Sequence, residues 1–329
     1  MTNGDAAAHG IRSAGIAGDV IAWRDVLHEG PVPADAGPAE LRAIRASFIA
    51  GRTRGDPAAI EREFAERDRA LDAIGPSEDV VLWFEPDLYD QLQLLEVLDR
   101  LSAHQRRSPR GGWRSLQIVP QDCYLGPSSS AELLDRFDQR APVTASQLEL
   151  GAWGWQLFRA GDPQALLILS RSPQTSLPYL PAALHRLLEE LPSVRNGLSR
   201  CEQQAVEALK NRPIRMGDAF RAAHHDREQF IFLGDTIFAW QLERLAGGPH
   251  PLVAAESNAP IRVPPDDSAR EFWSQRVRLT DAGRDVLEGK ADAVALNGID
   301  RWIGGLHLTG RPFLWRWDEA MEAPVQRPG

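Results

Sequence analysis

The chain has 329 residues, of which 43% are apolar, and its formal net charge is −9. A chain of this length and composition predicts two domains with hydrophobic cores. The negative charge argues against a general binder of polyanions, because phosphate contacts need clustered Lys and Arg, but it leaves room for a local basic patch. The two cysteines, Cys123 and Cys201, form no CxxC pair, which argues against a disulfide framework and a cysteine zinc site.

The N-terminal residues lack a cationic segment followed by an apolar run, so they do not resemble a signal peptide. No stretch of the sequence approaches the ~20 apolar residues of a membrane span. We therefore expect a cytoplasmic protein with no membrane partner.

Strand and helix patterns alternate over the first part of the chain. Apolar runs at 20–23, 80–84 and 115–119 predict buried strands, and amphipathic helix patterns lie between them. Pro38 and Pro57 suit the first turns of two of these helices. Strands that are separated by helices of this size predict parallel βαβ units with right-handed crossovers.

We therefore predict an α/β protein in three parts. Residues 1–126 are expected to form a small Rossmann-like parallel sheet with helices on both faces, and residues 127–195 a helical connector. Residues 196–329 contain three helix patterns, a strand, an L-T-x-x-G turn at 279–283 and a further helix, which together resemble a winged-helix α+β domain. The polar, proline-rich stretch 260–267 within this part predicts a loop. Ser199 and Glu202 fit a capping box at the start of the first of the three helices.

Three motifs in order carry a family resemblance. They are Asn3-Gly4-Asp5, WRDVLHEGP at 23–31 and LWFEPDLYDQL at 82–92. With them the region of roughly 1–125 resembles an uncharacterised bacterial family, the domain of unknown function 1835. Members often have His where this chain has Pro86, so a role of that His would not carry over. The resemblance implies a shared fold and nothing about chemistry.

In a parallel α/β sheet, ligands bind at the carboxyl ends of the strands. Acidic and histidine residues directly follow the predicted strands; they are Asp5, Asp25, His28, Glu29, Glu85, Asp87 and Asp122. Because parallel strands end at one edge of the sheet, we expect these side chains to come together there. The structural alternative is that Asp5 and Asp87 cap the helices that follow them, with Asp90 in the first turn of the second helix.

Three of these residues are the candidate catalytic groups. Glu85 ends a strongly apolar strand, where burial would raise its pKa and suit it for proton transfer. Asp25 and His28, with Glu29 next to them, offer two carboxylates and an imidazole for general acid–base work or for a divalent cation. The structural alternatives are a satisfied buried position for His28 and, for Glu85, a salt bridge to Arg24, Arg45 or Arg67.

Candidate ligand contacts surround these groups. Asn3, Gly4 and Asp5 precede a helix whose N–H groups could face a phosphate, although the G-x-G-x-x-G dinucleotide fingerprint is absent. The sequence also has no P-loop, no G-x-S-x-G elbow and no H-E-x-x-H helix. Glu29 and Asp87 complete this set.

A segment near the C-terminus is rich in special residues. Asp300, Arg301 and His307 flank Gly304-Gly305 and would reach a ligand if the segment folds back onto the N-terminal site. The alternative is a tight β-turn with Trp302 packed in the core.

These patterns favour an enzyme that acts on a phosphorylated or nucleotide-like small molecule, as a hydrolase or a transferase, with Mg²⁺ or Mn²⁺ as a candidate cofactor. One alternative is a ligand-sensing regulator that binds DNA. Arginines near the winged-helix pattern support it, namely Arg195, Arg200, Arg212, Arg215 and Arg221. The other alternative is a non-catalytic protein-interaction module, since the ten Trp residues could form an interface. The residues leave the oligomeric state open.

Overall fold

The structure is a computed structural model, and it describes residues 1–108, 112–173, 176–263, 269–310 and 313–328. The helices of the described residues are α1 (Asp5–Ser13), α2 (Pro38–Thr53), α3 (Pro57–Asp72), α4 (Leu88–Arg107), α5 (Ser130–Asp138), α6 (Ala145–Arg159), α7 (Pro163–Arg171), α8 (Leu180–Leu188), α9 (Arg200–Ala208), α10 (Met216–Phe220), α11 (Asp235–Leu245), α12 (Ala269–Ser274), α13 (Asp281–Leu287) and α14 (Ala293–Asn297). One π-helical turn, Arg221–His225, directly follows α10. The strands are β1 (Gly30–Pro31), β2 (Asp79–Leu82), β3 (Ser115–Ile118), β4 (Ala141–Pro142), β5 (Ile214–Arg215), β6 (Val253–Ala255), β7 (Arg276–Leu279), β8 (Asp300–Gly304), β9 (Leu306–Thr309), β10 (Phe313–Asp318) and β11 (Ala323–Pro328).

The protein is a mixed α/β structure with small sheets, and the N-terminal sheet contains parallel pairs. β2 pairs with β3 in parallel, and β3 pairs with β4 in antiparallel orientation. Thr2 extends the sheet through parallel bridges to Ala22 on one side and to Trp83, directly after β2, on the other. The order of segments is therefore residue 22, residue 2, β2, β3 and β4. The predicted strands at 80–84 and 115–119 are present, whereas the run at 20–23 contributes only the bridge at Ala22.

Local sequence signals set the ends of the helices in this part. α2 and α3 begin at Pro38 and Pro57, as the sequence predicts, because a proline lacks the N–H that would be unpaired there anyway. Asp56 caps α3 by accepting a hydrogen bond from the backbone N–H of Ala58 at 3.0 Å. These starts fix where the helices return to the sheet.

The region predicted as a helical connector contains α5, α6, α7 and α8, and the short strand β4. Within it, α6 packs closely on α4. A Cβ atom added at Gly151 would lie 2.4 Å from Cβ of Leu98, and one at Gly154 would lie 2.9 Å from Leu95. Glycine at these two positions therefore lets the helices approach, and the connector is docked on the helix that follows β2.

In the C-terminal region, β5, β7 and β6 form an antiparallel sheet in that order. The order of elements along the chain is α9, β5, α10, α11, β6, α12 and β7. In the L-T-x-x-G turn, Thr280 caps α13 by accepting a hydrogen bond from Gly283 N–H at 3.0 Å. A Cβ at Gly283 would lie 2.0 Å from the carbonyl oxygen of Leu252, so a larger residue does not fit there. The predicted capping box of Ser199 and Glu202 is also present, at the start of α9.

The C-terminal segment returns to the N-terminal part of the chain. β8 pairs in parallel with β1, and β8 and β9 form a hairpin. Trp302 lies in this hairpin, only partly buried and stacked on the His307 ring at 4.2 Å, so the expectation of a core Trp302 is wrong. β10 and β11 form a second hairpin, and Ser193 bridges to Trp317 in it.

Residues 264–267 of the loop predicted at 260–267 lie outside the described residues. No described helix is long and apolar enough to cross a membrane.

Candidate functional site

Three carboxylates meet just after β2. Glu85, Asp87 and Asp90 each place a carboxylate oxygen within 4.8 Å of the others, and we call these three residues the carboxylate cluster. All three are buried, but Glu85 and Asp87 keep exposed fractions of 7% and 4% whereas Asp90 has none. A ligand would therefore reach the cluster from the side of Glu85 and Asp87.

Backbone groups and one amide hold the cluster in place. Asp87 ends the loop after β2 and caps α4, where its Oδ1 accepts a hydrogen bond from the N–H of Asp90 at 3.0 Å. Asp90 in turn accepts from the N–H of Glu85 at 2.7 Å and from Nδ2 of Asn3 at 2.8 Å. Oε1 of Glu85 accepts from the N–H of Leu125 at 2.7 Å. The cluster thus joins the segments that follow residue 2, β2 and β3.

The electrostatic environment of the cluster favours protonated carboxyl groups or a bound cation. Burial raises the pKa of Asp87 to about 7 and raises the pKa of Asp90 and of Glu85 above their usual values. The negative charges of neighbouring carboxylates raise the pKa of Asp87 and Asp90 further. Among the ion pairs of the described residues, none includes a carboxylate of the cluster. Burial without a basic partner disfavours the anionic form of a carboxylate, so these raised pKa values favour bound protons or a shared cation.

The predicted salt bridge of Glu85 to a nearby arginine is wrong, because each candidate arginine pairs with another acid. Arg24 contacts Asp5 at 2.7 Å, Arg45 contacts Asp25 at 2.7 Å, and Arg67 contacts Asp68 at 3.2 Å. The capping role predicted as an alternative for Asp87 is confirmed. It does not remove Asp87 from the cluster.

The structure does not bring Asp25 and Glu29 into the cluster. Both are buried, and a guanidinium neutralises each: Arg45 for Asp25 at 2.7 Å, and Arg301 for Glu29 at 2.8 Å. The backbone carbonyl of Asp25 also accepts a hydrogen bond from Gln93 Nε2 at 2.9 Å. Within the described chain, these acids form no metal-type group with each other or with the cluster. The sequence predicts that this loop acts together with Glu85 in acid–base chemistry. Asp25 and Glu29 do not lie in the group that Glu85 forms, so the structure does not provide the geometry for that joint role.

The side chain of His28 is buried without hydrogen-bond partners among the described residues. The structural alternative from the sequence is a buried histidine whose hydrogen bonds are satisfied. Neither ring nitrogen has a hydrogen-bond partner among the described residues, and burial lowers the pKa of His28 to about 3. The ring meets Tyr89 and Phe232 edge-on, at centroid distances of 6.1 and 5.1 Å. Tyr89 donates a hydrogen bond of 3.4 Å to the carbonyl of Asn3, so it separates His28 from the carboxylate cluster.

The Asn3-Gly4-Asp5 motif splits between the cluster and the surface. Asn3 binds Asp90, as described above, and Gly4 occupies the cap position of α1 with an extended backbone. Asp5 is the first residue of α1, and Gly4 rather than Asp5 holds the cap position. The side chain of Asp5 is exposed and contacts Arg24. The cap predicted at Asp5 is therefore wrong.

The predicted C-terminal ligand residues lie away from the cluster. Arg301 is buried between Glu29 and Glu190, whose carboxylate lies 3.0 Å from it. Asp300 and His307 contact each other at 2.7 Å across the β8–β9 hairpin, where both are exposed. The segment does fold back onto the N-terminal part, but it meets the loop of Glu29 rather than Glu85. Asp122, at the end of β3, pairs with Arg136 on the surface.

Two residues at or near the cluster, Asp90 and Tyr124, were not among the site residues predicted from the sequence. Asp90 was expected only as a first-turn helix residue, and its spacing of three from Asp87 was the available signal. Tyr124 follows β3, and its hydroxyl accepts a hydrogen bond from the N–H of Ile231. Burial raises the pKa of Tyr124 to about 12, and the nearby negative charge of Asp87 acts in the same direction.

Comparison of the chain with family models, with curated proteins and with solved structures finds no match. The function must therefore be inferred from the site itself.

Proposed function

We propose that this protein is an enzyme that acts on a phosphorylated or nucleotide-like small molecule, with Mg²⁺ or Mn²⁺ held by the carboxylate cluster. The observation that carries the proposal is the meeting of three buried carboxylates without a basic partner. A divalent cation bound by their oxygens would offset the burial that raises all three pKa values, and the repulsion that adds to it for Asp87 and Asp90. Hard cations of this kind prefer carboxylate oxygens and keep positions for substrate phosphates.

The residues divide into two roles in this proposal. Asp87 and Asp90 hold the cation. Glu85, which is slightly exposed and has a raised pKa, moves a proton at the reacting oxygen. The N-terminus of α1 after Asn3-Gly4 offers N–H groups to a phosphate. Both hydrolysis and group transfer are compatible with these roles.

The topology supports a ligand site at this place. The segment of residue 2 lies between two neighbours in the sheet, the segment of residue 22 on one side and β2 on the other. The chain goes first to the segment of residue 22 and then crosses to β2 on the opposite side. In a Rossmann-like sheet this reversal is the switch point, and ligands bind beyond the strand ends there. We propose the Rossmann-like architecture on this ground. Membership in the domain of unknown function 1835 family remains an expectation from the three motifs.

A first experiment measures metal binding to the whole chain by calorimetry and by thermal unfolding with Mn²⁺ or Mg²⁺. Wild type is expected to bind one cation and to be stabilised, whereas Asp87→Asn and Asp90→Asn lose both effects. Asp5→Asn is the matched control, because it removes an exposed carboxylate on the same strand-end side. Equal metal binding by wild type and both cluster variants would overturn the proposal.

Turnover is then measured as release of phosphate, or of a phosphorylated fragment, from nucleotides and sugar phosphates. Glu85→Gln is expected to reduce turnover by about 10²-fold or more while the cation still binds, since it removes only the proton-transfer group. If Glu85→Gln turns over every substrate as wild type does, Glu85 has no catalytic role.

A second candidate, a DNA-binding regulator, has the connectivity in its favour. The element order is α9, β5, α10, α11, β6, α12 and β7, and the sheet order is β5, β7, β6. Apart from the short helix α12, this is the order of a winged-helix domain, which we propose for this region. However, α11 stands in the place of the recognition helix, and most of its residues are buried. Trp240 in α11 packs against Phe48 of α2 at 6.4 Å, and Arg244 pairs with Glu202. The surroundings of α11 thus favour a packing role for this domain.

The interaction-module alternative has less support. Of the ten Trp residues, Trp153 is exposed and the others are buried or partly buried. They therefore serve the fold more than an interface.

A further inference from the structure

A cavity separate from the carboxylate cluster lies between the loop of His28, the end of α2 and the segment that leads into α11. Its volume is about 310 Å³, which is at the lower end of the range for small-molecule sites. Aromatic and aliphatic side chains form most of its lining, namely Val26, Phe48, Ile49, Tyr89, Phe232 and Ile237. Such a lining favours a ligand with a flat apolar body.

Arg52 brings a positive charge without a salt-bridge partner among the described residues to this cavity. The salt bridges of the described residues do not include it, and its Nε is buried without a hydrogen-bond partner. Its guanidinium lies over the ring of Trp240 at 4.1 Å and over that of Phe48 at 5.0 Å. The rings keep the guanidinium at the cavity wall but cannot neutralise it, so the cavity favours an anionic group.

The other polar groups narrow the choice of ligand. His28 borders the cavity with an unpartnered, uncharged imidazole, which can donate or accept one hydrogen bond. Asp235 is exposed at the α11 side, where its carboxylate accepts hydrogen bonds from the N–H and hydroxyl of Thr236. Its negative charge disfavours a second anionic group on the ligand.

We propose that this cavity binds a small aromatic monocarboxylate, whose carboxylate pairs with Arg52 and whose ring packs among Phe48, Tyr89 and Phe232. The guanidinium fork matches a carboxylate through two parallel hydrogen bonds. The inference does not depend on the enzyme proposal, because Arg52 and the cavity lining, apart from the shared wall residue Tyr89, lie outside the cluster and its partners.

The test is calorimetric titration of the full chain with benzoate, phenylacetate and indole-3-acetate. Benzamide, which lacks the charge, and succinate, which has two charges and no ring, are the control ligands. At least one aromatic carboxylate is expected to bind, and both controls are expected to bind at least about ten-fold more weakly. No binding by any of the three aromatic carboxylates, or equal binding by benzamide, overturns the proposal.

Variants locate the site. Arg52→Gln is expected to weaken binding about ten-fold or more, whereas Arg54→Gln, an exposed neighbour that contacts Glu243 at 3.8 Å, should leave it unchanged. Thr236→Tyr fills the cavity from an exposed position and should abolish binding without lowering the melting temperature. Asp87→Asn should bind the carboxylate as wild type does, which separates this site from the carboxylate cluster. Wild-type affinity in Arg52→Gln, or loss of binding in Asp87→Asn, overturns the assignment.

Discussion

Arg301 and Glu29, which are 272 positions apart in the chain, form a buried ion pair at 2.8 Å. The same guanidinium contacts Glu190 at 3.0 Å, and Glu190 contacts Arg186 at 2.7 Å. The loop before β1, the turn after α8 and strand β8 are therefore joined by buried charges. This network explains why the C-terminal segment returns to the N-terminal part at Glu29.

The first prediction concerns this ion pair. Arg301→Met leaves Glu29 as a buried carboxylate without a basic partner, and breaking a buried pair in this way costs about 3–5 kcal/mol. We expect the free energy of unfolding, measured by urea denaturation, to fall by that amount. Arg24→Met is the control, because it removes an exposed pair with Asp5, and such pairs contribute about 0–1 kcal/mol. Equal losses in the two variants would contradict the structural importance of the buried pair.

The second prediction concerns pH. Asp87 has a pKa of about 7 in the fold against an ordinary value of 3.8, so the folded state binds the extra proton between these values. The contribution of Asp87 to the free energy of unfolding is then complete at low pH and is lost as the pH rises from about 4 to about 7. Each pH unit crossed corresponds to about 1.4 kcal/mol.

The lowered pKa of His28, about 3, acts in the opposite direction, because the unfolded chain takes up that proton first as the pH falls. The informative quantity is therefore the difference between wild type and Asp87→Asn, which cancels the contribution of His28. We expect Asp87→Asn to gain stability relative to wild type as the pH rises from about 4 to about 7. A difference that does not change with pH would show that Asp87 is not buried as a protonated acid.

The third prediction tests whether a cation replaces these protons. Metal ions compete with protons for the same oxygens, so Mn²⁺ should raise the melting temperature more at about pH 8 than at about pH 5. Asp5→Asn should respond as wild type does, whereas Asp90→Asn should not respond at either pH. The same stabilisation at both pH values in wild type would place the cation elsewhere.

Much of the local structure can be predicted from the sequence, because its causes are local. Pro38 and Pro57 begin α2 and α3, and the apolar run at 80–84 becomes β2 with Trp83. Ser199 and Glu202 form the predicted capping box. In each case the signal and the structure lie within a few residues of each other.

The pairing of charges could not be predicted in this way. Glu85 and Glu29 have the same side chain, and each follows a strand or an apolar segment. However, Glu29 forms an ion pair with Arg301, whereas Glu85 lies beside two other carboxylates. The difference depends on where a residue 272 positions away returns to the sheet. The strand-end rule therefore found Glu85 and Asp87, but it omitted Asp90 and included Asp25 and Glu29, which pair with arginines instead.

The fourth prediction concerns the turn between β8 and β9. A Cβ atom at Gly305 would lie 1.7 Å from the carbonyl oxygen of Arg159, at the end of α6. Gly305→Ala must push the hairpin away from this backbone, and we expect it to lower the free energy of unfolding by about 3 kcal/mol. Gly310→Ala is the control, since no atom of the described residues lies within 4 Å of its Cβ position, and it should change stability by less than about 1 kcal/mol. Equal effects would mean that the hairpin is not tightly packed on α6.

The fifth prediction separates the enzyme from the DNA-binding regulator. α11 offers few exposed residues to a groove, and two of them are Asp235 and Thr236, which give no positive charge. Two of the arginines that favoured DNA binding are also engaged, because Arg200 pairs with Glu189 and Arg221 contacts Asp226 at 3.7 Å. Non-specific affinity for DNA is greatest at low salt, so a low-salt gel shift with a duplex is the most permissive test.

We expect no retention of the duplex at protein concentrations up to ~10 µM, within the range where non-specific binders already retain DNA. Arg212 precedes β5 and Arg215 is its last residue. Neither enters an ion pair among the described residues, so they are the charges through which DNA would still be held. A shift in wild type that Arg212→Gln and Arg215→Gln together abolish would therefore restore the regulator. If no such shift occurs, the C-terminal region has a packing role, in which α11 covers the end of α2 beside the cavity of Arg52.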